Sequence, residues 1–213
     1  MRVFVARARQ ALEAVSMARD VVLPEGRVVI AGLGNPGAQY DGTRHNIGAD
    51  VVEALGARHG IALVEQKFRG RFGTGLIGGR SVALLCPQTY MNRSGESVGP
   101  ALNFWKLGVG SLIVVHDELD LPLGRVRVKH GGGHGGHNGL RSIHVQLPDP
   151  GYFRVRLGID RPPQGGNVSG WVLGRFGAGE LAGVEDLHER GMKAVELLLS
   201  DGLLHAQNEV HPL

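Results

Sequence analysis

Three stretches of this chain combine histidine and asparagine with an unusual density of glycine. They are GLGNPGAQYDGTRHN (Gly32–Asn46), PQTYMNRSG (Pro87–Gly95) and HGGGHGGHNGL (His130–Leu140). Imidazole and amide side chains can transfer protons and donate hydrogen bonds, and loops held by a rigid scaffold commonly carry function. The three stretches are therefore the candidate site, and the elements around them must bring them together.

His45 and Asp117 offer a pairing suited to acid–base chemistry. His45 lies in a loop ahead of a helix, and Asp117 ends the apolar strand LIVVHD. A carboxylate at a strand end can fix the tautomer of an imidazole and stabilise its protonated form, as a general base requires. The alternative is that His45 caps the helix or is solvated. The residue types alone leave both interpretations open.

The glycine spacing after the first strand resembles a dinucleotide fingerprint, because Gly32, Gly34 and Gly37 satisfy G-x-G-x-x-G. In such a unit a helix opens within the glycine run and meets the pyrophosphate. Here Pro36 and the residues after it continue as an irregular loop, and the next acidic candidate, Glu53, lies inside a helical pattern. The spacing therefore does not favour a nucleotide cofactor.

Three histidines of the third stretch, His130, His134 and His137, raise the question of a metal site. The surrounding glycines disfavour a helix, so the i, i+4 geometry that makes two histidines converge is absent. No carboxylate or thiol lies within the loop. Glycine-rich backbone that approaches a phosphate or ribose is the favoured interpretation, with a helix beginning at His137–Gly139 whose N-terminal amides favour an anion.

Composition indicates one intracellular domain. The chain has 213 residues, 42% of them hydrophobic, which is ample for a single core. No apolar run reaches the length of roughly 18 to 20 residues that a membrane span needs. The single cysteine, Cys86, ends an apolar strand and fits a reduced compartment. We expect a cytoplasmic protein with no membrane association.

Charge is unevenly placed, although the net charge is only +3. Between Leu121 and Arg161, seven arginines and lysines face two aspartates, a local net charge of +5, whereas the C-terminal region is acidic. Such asymmetry favours a polyanionic partner on one face, nucleic acid above all. Solvated charge on ordinary strands and helices is the alternative.

Strand and helix patterns alternate along the chain. Strands are predicted at residues 27–31, 61–65, 71–77, 81–86, 112–117, 125–129 and 153–159. Helices are predicted around residues 47–55, from a serine cap at Ser94, over residues 138–147 and over residues 179–202. This order predicts a single α/β domain, in which a mixed, mostly parallel twisted sheet carries helices on both faces.

Residues 1–26 stand apart as an N-terminal extension, and residues 27–213 form the predicted domain. The extension contains an amphipathic stretch, so it is expected to be an accessory helix or a disordered arm, or to reflect a start codon placed too early. Its acidic residues Glu13 and Asp20 argue against a transit peptide. Because the first convincing strand begins near Arg27, the fold is expected not to need it.

Four motifs in order resemble bacterial peptidyl-tRNA hydrolase. They are GLGNPG with the following Tyr40 and TRHN, PQTYMNRSG, HDELDLPLG and GGGHGGHNGL, and the resemblance runs from about Arg27 to the C-terminal region. The family cleaves the ester that joins a peptide to the 3′ ribose of tRNA. The resemblance therefore implies an esterase that needs no metal or organic cofactor.

The resemblance implies roles for individual residues. It implies that His45 is the catalytic base, that Asp117 supports it and that the Asn92 amide donates to the oxyanion or to the peptide. The positions implied to bind substrate are Asn35, Tyr40, Tyr90, Met91, His137 and Asn138.

Three basic residues match the family's clamp for the phosphate of the tRNA acceptor stem. These are Arg127, Lys129 and Arg156, and Arg127 stands where the family commonly has lysine, so the geometry of phosphate binding can differ. The resemblance further implies a monomer without an obligate protein partner. A catalytically inactive RNA-binding homologue and a nucleotide-dependent oxidoreductase are the alternative functions.

Overall fold

The structure is a computed structural model that describes residues 21–212. In this range the chain forms seven strands: β1 Val28–Gly32, β2 Glu65–Lys67, β3 Gly70–Ile77, β4 Arg80–Pro87, β5 Leu112–Glu118, β6 Val126–His130 and β7 Phe153–Gly158. It also forms six α-helices: α1 Ile47–Arg58, α2 Gly95–Phe104, α3 Asn138–Gln146, α4 Val168–Val172, α5 Leu181–Ser200 and α6 Gly202–Val210. No helix in the described part of the chain is long and apolar enough to cross a membrane.

All seven strands belong to one mixed sheet in the order β2-β3-β4-β1-β5-β7-β6. The four central strands, β4, β1, β5 and β7, run parallel to one another. On one side β3 runs antiparallel to β4 and to the edge strand β2, and on the other side the edge strand β6 runs antiparallel to β7. The predicted class, an α/β domain with a mixed sheet, is confirmed.

Alternate residues of the central strands supply two hydrophobic cores, one on each face of the sheet. In β1, Val28 and Ile30 face the core that contains α1, α5 and α6, whereas Val29 and Ala31 face the core that contains α2 and α3. All four side chains are fully buried. Because helices cover both faces of the sheet, most residues of the central strands are apolar rather than only every second one.

The predicted strand at residues 61–65 is wrong except at its last residue. Ile61 and Ala62 lie across the face of β3, where a Cβ on Gly73 would stand 2.3 Å from the Ala62 carbonyl oxygen and one on Gly75 would stand 2.6 Å from Ile61. The glycines of β3 thus make room for a segment packed on the sheet, and strand pairing starts only at Glu65.

The helix ends also differ from the sequence predictions. Ser94 stands at the start of α2, but its hydroxyl donates to the Met91 carbonyl at 2.8 Å and makes no capping bond. The long C-terminal helix ends at Ser200, and a second helix, α6, begins at Gly202, whose φ is 84°. Neither α6 nor the short helix α4 was predicted, because each depends on packing against the domain.

Residues 21–26, the described end of the predicted extension, contact the domain. Leu23 is 5% exposed and belongs to the core that contains α5 and α6. The Val21 carbonyl accepts from the Leu203 amide at 3.1 Å, and the Pro24 carbonyl accepts from Arg80 at 2.6 Å. The boundary at residue 26 stays a prediction, because most of the extension lies outside the described residues.

Candidate functional site

The predicted site residues gather at the carboxyl ends of β1, β4 and β5. Since α1 lies on one face of the sheet and α2 on the other, the loops that follow β1 and β4 diverge and open a crevice, as is general for open α/β sheets. A cleft of about 770 Å³ occupies this position. Its lining includes Asn35, Tyr40, His45, Tyr90, Met91, Asn92, Asp117, His137 and Asn138.

His45 reaches this crevice because α1 packs unusually close to β5. A Cβ on Gly48 would stand 2.3 Å from the Val115 carbonyl oxygen, so only glycine permits the approach. The 3₁₀ turn Arg44–Asn46 that precedes α1 then sets the His45 ring beside the end of β5. Its Nδ1 lies 2.8 Å from Oδ1 of Asp117, and the two residues that the sequence paired are in contact.

Asp117 is buried and accepts from two histidines at one oxygen. His45 Nδ1 and His137 Nε2 lie 2.8 and 2.9 Å from its Oδ1. Burial alone would raise the pKa of Asp117, but the neighbouring His45 and His137 and their hydrogen bonds hold it well below its usual range. The carboxylate is therefore ionised and can only accept, so both ring nitrogens that contact it carry hydrogen.

The tautomers of the two histidines follow from these contacts. His137 is the N-cap of α3, where its Nδ1 accepts from the amides of Gly139 and Leu140 at 3.1 and 3.3 Å. It is thus protonated on Nε2 alone and neutral. His45 carries its hydrogen on Nδ1, which leaves Nε2 as its basic atom. Burial lowers the pKa of His45, but the charge and hydrogen bond of Asp117 outweigh it, and the pKa is raised.

A third histidine, His116, contacts both Asp117 and His137. Its Nδ1 lies 2.7 Å from the Asp117 carbonyl oxygen, and its ring packs edge-on against His137 with centroids 5.0 Å apart. Burial, followed by the neighbouring His137, holds the pKa of His116 well below its usual value, so it stays neutral. The sequence analysis missed His116, which is the first residue of the HDELDLPLG motif.

Asn35 is oriented by a second asparagine that sequence reasoning also missed. The side chain of Asn46 accepts from the Asn35 amide at 2.8 Å and donates to the Asn35 carbonyl at 3.0 Å. The side-chain oxygen of Asn35 accepts from the Met91 amide at 2.8 Å. Because this oxygen is occupied, the Asn35 side chain presents its NH₂ group as the donor available to a ligand in the cleft.

The stretch after β4 contributes an amide and an aromatic ring. Asn92 is exposed in the cleft, and its side chain makes no hydrogen bond to another residue of the described range 21–212. Tyr90 is 54% exposed, and its ring meets the edge of Tyr40 with centroids 6.4 Å apart. Asn138 lies across the cleft at the start of α3, so amides flank His45 from two loops.

The glycine-rich loop is not helical, and several of its glycines have positive φ angles. Gly131, Gly132, Gly135 and Gly136 have φ between 56° and 92°, which L side chains rarely adopt. His130 packs on Phe153, with ring centroids 4.9 Å apart. His134 and His137 both line the crevice, and His137 contacts Asp117.

One set of described residues does have the spacing of metal ligands. It consists of His45, Asp117 and His137, whose ligand atoms lie within 4.8 Å of one another. Sequence reasoning did not foresee this set, because it joins three separate loops. The two imidazole N–H groups already donate to Asp117, so a metal ion would have to displace both protons.

The three predicted phosphate-binding residues share one face of the sheet at its β6 edge. Arg127 and Arg156 are cross-strand neighbours, and Lys129 follows two residues after Arg127. Arg156 also donates to Glu118 at 2.9 Å, which partly neutralises it. Burial and the positive charges of Arg154 and Arg156 lower the pKa of Lys129. These three residues form a basic surface, and Arg156 connects it to the cleft through Glu118, which is one of the lining residues.

Comparisons with known proteins agree with this geometry. The model of the peptidyl-tRNA hydrolase family matches residues 29–213. The chain is 46% identical over 185 residues to a peptidyl-tRNA hydrolase of Colwellia psychrerythraea, covering 86% of this chain and 95% of that protein. It is 44% identical to that of Bacillus cytotoxicus over 181 residues, covering 85% and 97%.

A solved structure gives the same result. The crystal structure of peptidyl-tRNA hydrolase from Acinetobacter baumannii at 1.00 Å resolution aligns with a TM-score of 0.82 and 43% identity. The alignment covers 86% of this chain and 94% of that one. With the fold, the cleft and its histidine–aspartate pair in place, this chain belongs to the peptidyl-tRNA hydrolase family and is an enzyme of that activity.

Proposed function

We propose that His45 is the general base that activates water for hydrolysis of the ester between a peptide and the 3′ ribose of tRNA. The single observation that carries the proposal is the buried Asp117 carboxylate 2.8 Å from Nδ1 of His45. This contact leaves Nε2 of His45 free of hydrogen and stabilises the imidazolium that forms when it accepts a proton.

The proposed reaction has two proton transfers. Nε2 of His45 takes a proton from water as the water oxygen attacks the ester carbonyl carbon. The resulting oxyanion collapses, the bond to the 3′ oxygen of the ribose breaks, and that oxygen takes the proton back from His45. The products are a peptide with a free carboxylic acid and a tRNA with a free 3′ hydroxyl, which returns the tRNA to translation.

Amide donors in the cleft are assigned to the substrate. Asn92, exposed and without a partner among residues 21–212, donates to the developing oxyanion or to the peptide backbone. Asn35 and Asn138 bind the peptide end and the 3′ nucleotide, while Met91 buttresses Asn35. The ring of Tyr40 stacks on the terminal base, as unpaired bases do on aromatic side chains.

The basic surface of Arg127, Lys129 and Arg156 is assigned to the phosphates of the acceptor stem. These side chains share one face at the β6 edge, so a stem lying there would direct its 3′ end into the cleft. Peptidyl-tRNA binding at this surface accounts for a local excess of positive charge that the catalytic step does not need.

The test is release of N-acetyl-amino acid from N-acetyl-aminoacyl-tRNA by the wild-type protein and by His45→Ala, with unblocked aminoacyl-tRNA as the substrate control. Loss of a general base should lower kcat by about 10²- to 10⁴-fold while tRNA affinity stays nearly unchanged. Activity of His45→Ala close to wild type would exclude His45 as the base. No activity in either protein, with tRNA binding intact, would support an inactive RNA-binding homologue.

A further inference from the structure

Next to His45 lies a buried arginine that the proposed reaction does not use. The Arg44 side chain is 6% exposed, and its Nη2 donates to both carboxylate oxygens of Glu180 at 2.8 and 2.7 Å. Its Nη1 donates to the Arg175 carbonyl at 2.6 Å. Its guanidinium lies over the Trp171 ring, 3.9 Å from the centroid, and 4.9 Å from that of Phe176.

Backbone contacts join the same two segments. The Arg44 amide donates to the Gly174 carbonyl at 3.0 Å, and Thr43 pairs with Arg175 in an isolated antiparallel bridge. The Arg175 side chain in turn donates to the Asp41 carbonyl at 3.1 Å. The loop that carries His45 is therefore fixed to residues 171–180 by both backbone and side-chain hydrogen bonds.

The segment held by Arg44 forms a wall of the cleft. Val168, Val172 and Leu173 line the cleft on this side, and Trp171 donates to the Asp160 carbonyl at 2.8 Å. One guanidinium thus connects the turn that bears His45 with the wall that faces the substrate. Glu180 is 29% exposed, so the ion pair lies at the edge of the protein rather than deep inside it.

We propose that Arg44 is a positioning residue. Through its contacts with Glu180 and Trp171 it holds His45 and the α4 wall of the cleft in the relative position that attack on the ester requires. The proposal rests on His45 being the base. A planar guanidinium can bind a carboxylate at two points and stack on a ring at once, whereas an ammonium cannot. A displacement of the base by about 1 Å is enough to cost about 10² in rate.

The experiment compares Arg44→Lys and Glu180→Gln with wild type for kcat, KM and the acidic limb of the pH–rate profile, and follows the His45 ring by NMR titration. Arg58→Lys and Glu189→Gln are the matched controls, since that ion pair joins α1, the helix that follows the His45 turn, to the C-terminal part of the chain but is exposed. Thermal melts verify that each variant is folded at the assay temperature.

We expect Arg44→Lys to lower kcat at least about tenfold, with KM for tRNA nearly unchanged, and to shift the His45 titration to lower pH. The shift has this sign because a looser turn weakens the contact with Asp117 that favours the protonated ring. A folded Arg44→Lys protein with wild-type kcat and His45 titration overturns the proposal, as does an equal kcat loss in the Arg58→Lys control. Failure of His45 as the base is recognised separately, because the wild-type acidic limb would then not follow the titration of His45.

Discussion

At the residue scale, one oxygen of Asp117 accepts hydrogen bonds from both His45 and His137, but the two histidines have different roles. His137 is fixed as a neutral donor by its capping of α3. Nε2 of His45 makes no hydrogen bond to another residue of the range 21–212, so of these two rings it is His45 that can accept a proton. The proposed division into a base and a supporting donor follows from which nitrogen each ring has already used.

Replacement of Asp117 by asparagine should remove the fixed tautomer of His45. An amide NH₂ facing Nδ1 favours the tautomer with hydrogen on Nε2, which cannot accept a proton, so kcat should fall by about 10²- to 10⁴-fold. Loss of the carboxylate also lowers the pKa of His45, which Asp117 raises. The acidic limb of the residual activity should therefore move to lower pH, and an unmoved limb in a full pH–rate profile would contradict the pairing.

At the element scale, the N-terminus of α3 and the end of β5 are coupled by the His137 ring. His137→Asn retains a good N-cap residue but is too short to reach Asp117 as the imidazole does. Asp117 would then lose one of its two stabilising donors and would interact more strongly with the protonated His45 ring. The pKa of His45 should therefore rise further. The acidic limb should move to higher pH, opposite to the shift in Asp117→Asn.

The same NMR titration measures this change directly. A downward shift of the His45 titration in His137→Asn would show that His137 supports the protonated ring by some other contact. The thermal melt provides the structural control, because losing one hydrogen bond to a buried carboxylate should cost about 1–3 kcal/mol of unfolding free energy.

Strand β6 carries two of the three residues of the predicted phosphate clamp, Arg127 and Lys129, and their role can be tested apart from the chemistry. Arg127→Ala with Lys129→Ala should raise KM for full tRNA substrates much more than for a minimal esterified nucleotide that lacks the acceptor stem. Each lost phosphate contact should reduce the slope of log affinity against log salt by somewhat under about one unit.

Measurement of KM against salt for both substrates discriminates the explanations. Equal penalties on the two substrates would mean that these side chains support the cleft itself. Lys106→Ala, which removes one basic residue two positions after the end of α2, is the control for loss of positive charge elsewhere and should leave both KM values unchanged.

At the scale of the whole molecule, residues 21–26 contact the domain ahead of its first strand. Deleting residues 1–26 should cost the burial of Leu23, about 1.5–3 kcal/mol, and the two hydrogen bonds to Val21 and Pro24. The expected loss is about 5–10 °C in Tm. Deleting residues 1–20 alone should preserve these contacts and therefore the Tm.

Calorimetry of both truncations and of Leu23→Ala in the full chain separates the contributions. Leu23→Ala should account for most of the difference, since Leu23 is the one core side chain among residues 21–26. Equal melting temperatures for the two truncations would restore the boundary near Arg27 that the sequence indicates.

Sequence alone determined the α/β class and most of the elements, because apolar periodicity and glycine placement are local properties of the chain. It also identified His45 and Asp117 as a pair, since the four motifs resemble one family. It failed at residues 61–65 and at α4 and α6. There the backbone follows long-range packing, such as Ile61 on the glycines of β3, which local patterns do not encode.

Only the tertiary structure decided how the site residues divide their contacts. Asp117 contacts His45 and His137 across separations of 72 and 20 residues. The anchoring of Arg44 by Glu180 spans 136 residues. Hydrogen bonds and ion pairs act over a few ångströms and without regard to chain order, so these partners depend on how β5, α1 and α3 meet. The motifs identify the side chains of the site, but the fold determines which atoms of those side chains are already hydrogen-bonded and which remain available to the substrate.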